Sequence, residues 1–356
     1  MKILHLIQKP QNRGAEMFTC QLSNHLSESS HQVKIVALFE GDATLPFNGE
    51  ITSLKASSKN RFLDIPAWKK LADIVKEFNP DMVQANAGDT LKYSVFSKKL
   101  FRWKAPVISR NASEVGRYLK SPSQKKLNTF FYKNVESVIS VSRASEKDIL
   151  NNFPFLAGKT KVIPVGLEPL SKIDEIGLKP ENSQHIVHVG GFSFEKNHSG
   201  LLRIFQSIIN RNHNVHLHLV GDGPLKAEIE EEIKKLKLSQ YITFYGFVNN
   251  PLSYIKAADI LVLPSIIEGL PGVLLEAMIT KTPVVAYNVG GISEIVTSQT
   301  GNLIEKDDEA GFVKAVLEIL ENPNRDQIEN AYRMVVKDYM NEEIAKRFVE
   351  VYEAIR

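Results

Sequence analysis

Residues 260–287 read ILVLPSIIEGLPGVLLEAMITKTPVVAY. One apolar run, ILVLP (260–264), stops at a proline, and a second, PVVAY (283–287), opens with one. Between them Gly269, Pro271 and Gly272 punctuate a turn, and the stretch 272–281 has the composition of a helix. Strand, helix and strand in so short a span predict a βαβ unit, and such units build parallel sheets. Glu268 then falls on the loop and Glu276 about one turn inside the helix. Both carboxylates are expected to face the space before the helix N-terminus, where free N–H groups and the helix dipole favour anions such as phosphate. Two acids beside a phosphate site need a reason.

The same alternation runs outward in both directions. Upstream, strands are predicted at 2–7, 33–38, 81–86, 106–109, 137–142 and 161–165, with helices at 15–28, 66–78 and 91–102. The polar, proline-bearing stretch 169–184 lacks a period and reads as a linker. Alternation restarts with strands at 185–190, 215–221, 242–247, 260–264 and 283–287, and helices at 199–210, 224–237, 251–258 and 272–281. From about 309 the pattern is helical to Arg356. The fold class is therefore α/β: two doubly wound, Rossmann-like parallel-sheet domains facing a cleft, with C-terminal helices. The expected boundaries are 1–168, a linker at 169–184, 185–335, and a final helix at 336–356 packing back towards the first domain.

Bulk composition narrows the class. The 356 residues suffice for two domains with separate cores. A lone cysteine, Cys20, gives no disulfide framework, the first strand is too short for a signal peptide, and no run approaches the length of a bilayer span. The expected location is cytoplasmic. The net charge of +3 hides an asymmetry: residues 1–170 carry 25 Lys and Arg against 15 Asp and Glu, the remainder 19 against 26. A basic half suits an anionic partner, although two ordinary solvated surfaces would read the same way.

Ligands of open α/β sheets bind beyond the carboxyl ends of the strands, and the glycine- and charge-bearing loops fall there. They are QKPQNRGAEM after the first strand, GGFSFEKNHSG after 185–190, GDGPL after 215–221, SIIEGLPG after 260–264, and NVGGISEIV after 283–287. Taken singly, each is an ordinary strand–helix turn. GDGPL is read as a turn with a helix-starting proline, and it departs from G-x-G-x-x-G because Lys226 stands at the last glycine.

From ITFYGFV through ADILVLPSIIEGLPGVLLEAM to PVVAYNVGGISEIV, and more loosely nearly end to end, the sequence resembles glycosyltransferase family 4, retaining enzymes of the GT-B fold. Glu268 and Glu276 match its E-x7-E motif. The resemblance implies that Glu276 holds the ribose hydroxyls of a nucleotide-diphosphate sugar. It puts Glu268 beside the transferred sugar, with the backbone of Gly269, Leu270, Pro271 and Gly272 against sugar and phosphates. Gly14 and Gly190 would let backbone approach, Lys196 would stabilise the departing diphosphate, and Phe247 and Val248 would border the base. Glu268 and Lys196 are the implied catalytic pair. Gly191 departs from the pattern, since relatives often carry an arginine there, so charge stabilisation rests on Lys196 and backbone dipoles or on Arg13. Arg110 and Asn111 stand where relatives often have a histidine; with Arg13 they are the acceptor-side candidates.

The implied activity is hexosyl or N-acetylhexosaminyl transfer, with a UDP-sugar favoured, to a glycan or lipid-linked acceptor in cell-surface polysaccharide synthesis. No Asp-x-Asp occurs, so no metal and no cofactor beyond the nucleotide sugar are expected. His185, His188, His216 and His218 lack a carboxylate or cysteine to complete a metal set. Residues 92–133 carry 11 basic residues and one acid, Glu114, interleaved with aromatics. An anionic membrane surface is the partner expected through 91–133, which would make the protein peripheral on the inner face of the cell membrane. A helix with one buried and one solvated face would read the same. No nucleic-acid signature accompanies the charge, and no glycine fingerprint supports a nicotinamide enzyme. A non-catalytic sugar-nucleotide-binding or scaffold protein of the same fold is the competing reading.

Overall fold

A computed structural model describes residues 1–57, 59–60, 63–170 and 173–356; part of the expected linker, residues 171 and 172, lies outside them. The chain divides into two compact units, Met1–Glu168 with Asn341–Arg356, and Pro169–Met340.

Unit 1 runs β1 (Lys2–Ile7), α1 (Gly14–Glu28), β2 (Gln32–Ala37), β3 (Ile51–Ser53), α2 (Ile65–Phe78), β4 (Met82–Ala85), α3 (Gly88–Phe101), β5 (Val107–Asn111), α4 (Pro122–Tyr132), β6 (Ser137–Ser140), α5 (Arg143–Asn152) and β7 (Thr160–Val162). Its strands form one parallel sheet in the order β3-β2-β1-β4-β5-β6-β7. Helices cover both faces, which is why β1 is buried along almost its whole length instead of alternating. In α2 the buried positions Ala67, Trp68, Leu71, Ala72, Ile74 and Val75 form one stripe at helical spacing. Asp64 caps that helix by accepting from the Ala67 N–H at 3.2 Å.

Unit 2 runs β8 (Gln184–Val189), α6 (His198–Ile209), β9 (Val215–Val220), α7 (Lys226–Lys235), β10 (Ile242–Gly246), α8 (Pro251–Ala257), β11 (Ile260–Leu263), α9 (Gly272–Ile279), β12 (Val284–Tyr287), β13 (Asn302–Ile304), α10 (Glu309–Glu321) and α11 (Arg325–Asp338). Its parallel sheet has the order β10-β9-β8-β11-β12-β13. The strand order reverses at β1/β4 in unit 1 and at β8/β11 in unit 2. In open sheets of this kind ligands bind beyond the strands' carboxyl ends at such a switch point.

The last helix, α12 (Asn341–Ile355), belongs to unit 1. Its buried Ile344, Ala345, Phe348 and Tyr352 meet Phe18, Leu22 and Leu26 of α1, with Phe18 and Phe348 ring centres 6.0 Å apart. Arg347 donates to the Val162 carbonyl at 3.0 Å and the Asn341 N–H to the Leu167 carbonyl at 2.8 Å. The helix expected from 336 thus begins at Asn341, after α11 ends at Asp338. Strands β3 and β13, three residues each, were too short to show a period, and α4 and α5 are mostly polar, with few buried residues. Pro224 does not start α7: the helix opens at Lys226, because residues 221–225 are held as a turn on Phe192 through Leu225 N–H to its carbonyl at 3.1 Å.

Candidate active site

In unit 2 the two loops that leave the switch-point strands carry the candidate chemistry. After β8 the chain passes Gly190 and Gly191 and makes a 3-10 turn, Phe194–Lys196. After β11 it passes Ser265 to Glu268 and enters α9 at Gly272. The loops are tied together by Ile266 N–H to the Glu195 carbonyl at 2.8 Å and Asn197 Nδ2 to the Pro264 carbonyl at 3.0 Å. This brings Lys196 Nζ to 2.6 Å from Glu268 Oε1. The side chains are 20% and 11% exposed, so water screens the pair only in part.

The helix start behind this pair is open. No side chain caps α9, whose first residue follows Pro271, so its leading N–H groups are free to meet an anion. Gly290 supports the turn from below. It has φ +56°, and a Cβ there would sit 2.0 Å from the Glu268 carbonyl oxygen, while Gly291 N–H donates to the Gly269 carbonyl at 2.7 Å. Gly190 makes room on the other side, since a Cβ would touch the Lys196 Cδ and Cε at 3.3 Å. Leu270 and Pro271 are buried, and Gly269 with them.

Glu276 is half-buried on α9, and burial pushes its carboxyl up to about 7 against the opposing pull of Lys196. Lys196 therefore acts electrostatically on both glutamates. Phe247 is exposed and Val248 half-buried just beyond β10, where Gly246 has φ +65°.

The first-unit candidates fall apart into different environments. Arg13 and Gly14 are exposed at the uncapped start of α1, and a Cβ on Gly14 would meet nothing within 4 Å. Arg110 and Asn111 are both 4% exposed at the end of β5. The Asn111 amide is committed to Ser140 Oγ at 3.2 Å and the Ser145 carbonyl at 3.1 Å.

Sequence reasoning missed a group of buried polar atoms behind Lys196. His188 Nδ1 donates to the Val262 carbonyl at 2.9 Å, so Nε2 is the bare acceptor, and it has no partner. Both ring nitrogens of His198 and the Ser265 hydroxyl are also buried without a hydrogen bond. Burial holds His188 down to about 4 and His198 to about 2, with Lys196 adding to both. The signal was present as His198, directly after Lys196-Asn197, but a histidine opening an apolar helix reads as packing. Of the other histidines singled out, His185 and His218 form a chain, His185 Nδ1 lying 3.0 Å from His218 Nε2 and His218 Nδ1 3.0 Å from the Tyr245 hydroxyl, while His216 Nε2 lies 2.8 Å from Thr243 Oγ1. Among the described residues no group of three His, Cys, Asp or Glu is placed to hold a metal ion.

Two family models match, Glycosyltransferase Family 4 over residues 12–169 and Glycosyl transferases group 1 over residues 171–334. Together the two models cover nearly the whole chain, which is glycosyltransferase family 4-like. Its fold is the family's GT-B architecture, two parallel α/β sheets. It is 20% identical to Anabaena HepE, solved in complex with UDP and glucose, with a TM-score of 0.83 over 99% of this chain and 100% of that one. An uncharacterized glycosyltransferase of Methanocaldococcus jannaschii is 25% identical over 61% of this chain, and the match spans 58% of that relative's length. A Campylobacter jejuni relative, GalNAc-alpha-(1->4)-GalNAc-alpha-(1->3)-diNAcBac-PP-undecaprenol alpha-1,4-N-acetyl-D-galactosaminyltransferase, is 26% identical over 99% of this chain and 100% of its own.

Proposed function

We propose that the protein transfers a hexosyl or N-acetylhexosaminyl group from a nucleotide-diphosphate sugar to a glycan or lipid-linked acceptor, with retention at the anomeric carbon. The observation that carries this reading is the Lys196–Glu268 pair at 2.6 Å in front of the uncapped start of α9. The bond from the anomeric carbon to the diphosphate breaks as the bond to the acceptor oxygen forms, and negative charge grows on the diphosphate. Lys196 has three N–H donors, so it can hold Glu268 and a phosphate oxygen together. With the α9 N–H groups it neutralises the leaving group without a metal. Glu276 accepts the ribose hydroxyls, and its raised pKa makes donor binding improve as pH rises through about 7.

UDP is the favoured donor nucleotide, supported by the UDP complex of HepE, and the lipid-linked substrate in the C. jejuni relative's name supports an acceptor of that class. In unit 1, Lys98, Lys99, Arg102 and Lys104 line a cavity of about 300 Å³ with Val95, Trp103 and Asn134, beside the exposed Leu100. This basic, apolar-edged face suits peripheral docking on an anionic membrane surface. Among the described residues no helix is long and apolar enough to cross a membrane. The open position at Gly191 favours the second reading, a non-catalytic nucleotide-sugar binder, which turnover of a donor with an acceptor extract would exclude.

The deciding experiment is thermal unfolding against UDP, GDP, ADP, CMP and their sugar conjugates. One nucleotide at ~100 times its Kd should stabilise by roughly 2.7 kcal/mol. Glu276→Ala should weaken that nucleotide by about 2–4 kcal/mol, because charge-assisted hydrogen bonds contribute ~1.5–3 each. No shift with any nucleotide would sink the donor reading.

A further inference from the structure

Unit 1 holds a buried charge with no counterion. Ile108 and Arg110 lie on the same face of β5, the face covered by α1 and α12. Ile108 packs among Phe18, Phe348 and Tyr352, and the Arg110 guanidinium carbon sits 3.9 Å from the centre of the Phe18 ring. Arg110 is 4% exposed, its Nε is sealed without a partner, and it makes no ion pair among the described residues. The five residues outside that set are Ser58, Arg61, Phe62, Ser171 and Lys172, none of them a carboxylate.

The groups around it offer no anion. Burial, then Arg110 itself, hold His5 down to about 3, so it is neutral. Burial raises the Tyr352 phenol, which donates to Gln84 Oε1 at 2.6 Å. Burial lowers Arg110 to about 9, which leaves it charged at neutral pH. A buried guanidinium is costly without an anion. The Phe18 ring 3.9 Å away favours the cation, and the guanidinium N–H groups, without a partner among the described residues, suit an oxyanion. The place is also right: the carboxyl edge of a parallel sheet, one strand from the β1/β4 switch point, is where ligands bind.

We propose that Arg110 seats an oxyanion, a carboxylate or phosphate group carried by the acceptor, so that unit 1 selects acidic acceptors. This rests on the transferase reading above for the word acceptor, and the oxyanion seat itself is tested apart from it.

The test uses the full chain carrying Lys196→Ala, which silences the phosphate partner proposed in unit 2. Thermal unfolding is followed with inorganic phosphate, with glucuronate and with glucose at fixed ionic strength. At least one oxyanion should raise Tm by about 3 °C and glucose should not; which oxyanion does so tells phosphate from carboxylate. Adding Arg110→Met should abolish the shift and raise the ligand-free Tm by about 2–4 °C, because an unpaired buried charge is removed. If Arg110→Met does not fold, Arg110→Lys decides, since it keeps the charge and loses the fork: its shift should shrink. No oxyanion shift, or a shift undiminished in both variants, overturns the proposal. A native chain that answers UDP while the Lys196→Ala chain answers no oxyanion removes only the Arg110 seat. One that answers glucuronate but no nucleotide removes only the donor reading.

Discussion

The carboxyl edges of the two sheets share a switch-point topology and treat polar groups in opposite ways. In unit 1 the edge side chains are largely satisfied by each other: Asn86 donates to the Leu6 carbonyl at 3.1 Å, Asn111 holds β6 and α5, and Ser142 caps the Ser145 N–H at 3.0 Å. One charge, Arg110, is left over. In unit 2 the ion pair Lys196–Glu268 is formed, yet His188, His198 and Ser265 behind it lack partners. Orphaned buried polar atoms are uncommon, and each one costs stability. Unit 2 thus gathers its orphaned polar atoms on the two loops and flanking elements where donor chemistry is expected, whereas those of unit 1, Trp68 Nε1, Arg110 Nε, Glu114 Oε2 and Asn341 Oδ1, fall on separate segments.

Acid should expose this difference most strongly. His188, His198 and His218 have folded pKa values of about 4, 2 and 3, against 6.5 when free, all from burial first. Below pH 6.5 the unfolded chain binds protons that the folded chain refuses, so their stability is present above 6.5 and lost as pH falls towards 4. At pH 4.5 each costs about 2–3 kcal/mol, roughly 8 together. Glu276 works in the other sense: its raised pKa of about 7 returns about 2–3 kcal/mol over the same range. Unit 1 holds one strongly lowered histidine, His5, at about 2–3 kcal/mol. Both tryptophans, Trp68 and Trp103, lie in unit 1. Acid titration should therefore lose far-UV circular dichroism before tryptophan fluorescence changes. Coincident transitions would break the contrast.

A smaller test concerns which unit neutralises the leaving group. Lys196→Ala should lower kcat/KM by about a hundred- to a thousandfold, the usual effect of removing one electrostatic donor. Arg13→Ala, exposed at the start of α1, should cost less than tenfold. The reverse ranking, read from initial rates, would move charge stabilisation into unit 1.

How much of this was legible depends on the physical signal each feature leaves. The long buried strands and α9 were readable because parallel sheets demand continuous apolar runs and helix starts demand turn residues. Glu268 and Glu276 were readable by spacing and Lys196, as a diphosphate partner, by resemblance; the ion pair of Lys196 with Glu268 was not readable. The short strands β3 and β13 and the polar helices α4 and α5 left too little periodicity. What could not be read was burial of polar groups. "VISRN" gives no sign that Arg110 lies on Phe18 while Asn111 bonds across to α5, because alternate residues of one strand go to opposite faces and the sequence does not say what covers each. His188 and His198, ten positions apart, meet at 4.8 Å between ring centres because the loop after β8 returns the start of α6 to it.

The finest test of the contrast is Gly191, where the family resemblance implies an arginine. It is exposed, has no left-handed φ, and a Cβ there would meet only the Asp222 carbonyl oxygen at 3.5 Å. Backbone and space therefore admit a side chain. If the site lacks only this cation, Gly191→Arg should tighten the nucleotide-sugar Kd by about tenfold, roughly 1.4 kcal/mol, less than the full worth of a charge-assisted bond because a long side chain is ordered. Asp222 opposes the gain. Its carboxylate lies beside the same turn, 3.7 Å from Lys226 Nζ, and would compete for the new guanidinium, so Gly191→Arg with Asp222→Asn should exceed the single variant. Calorimetric titration of the donor measures both. A weaker Kd in both variants would mean that Lys196, Glu268 and the bare start of α9 already form a complete seat, and that the glycine preserves room the ligand itself occupies.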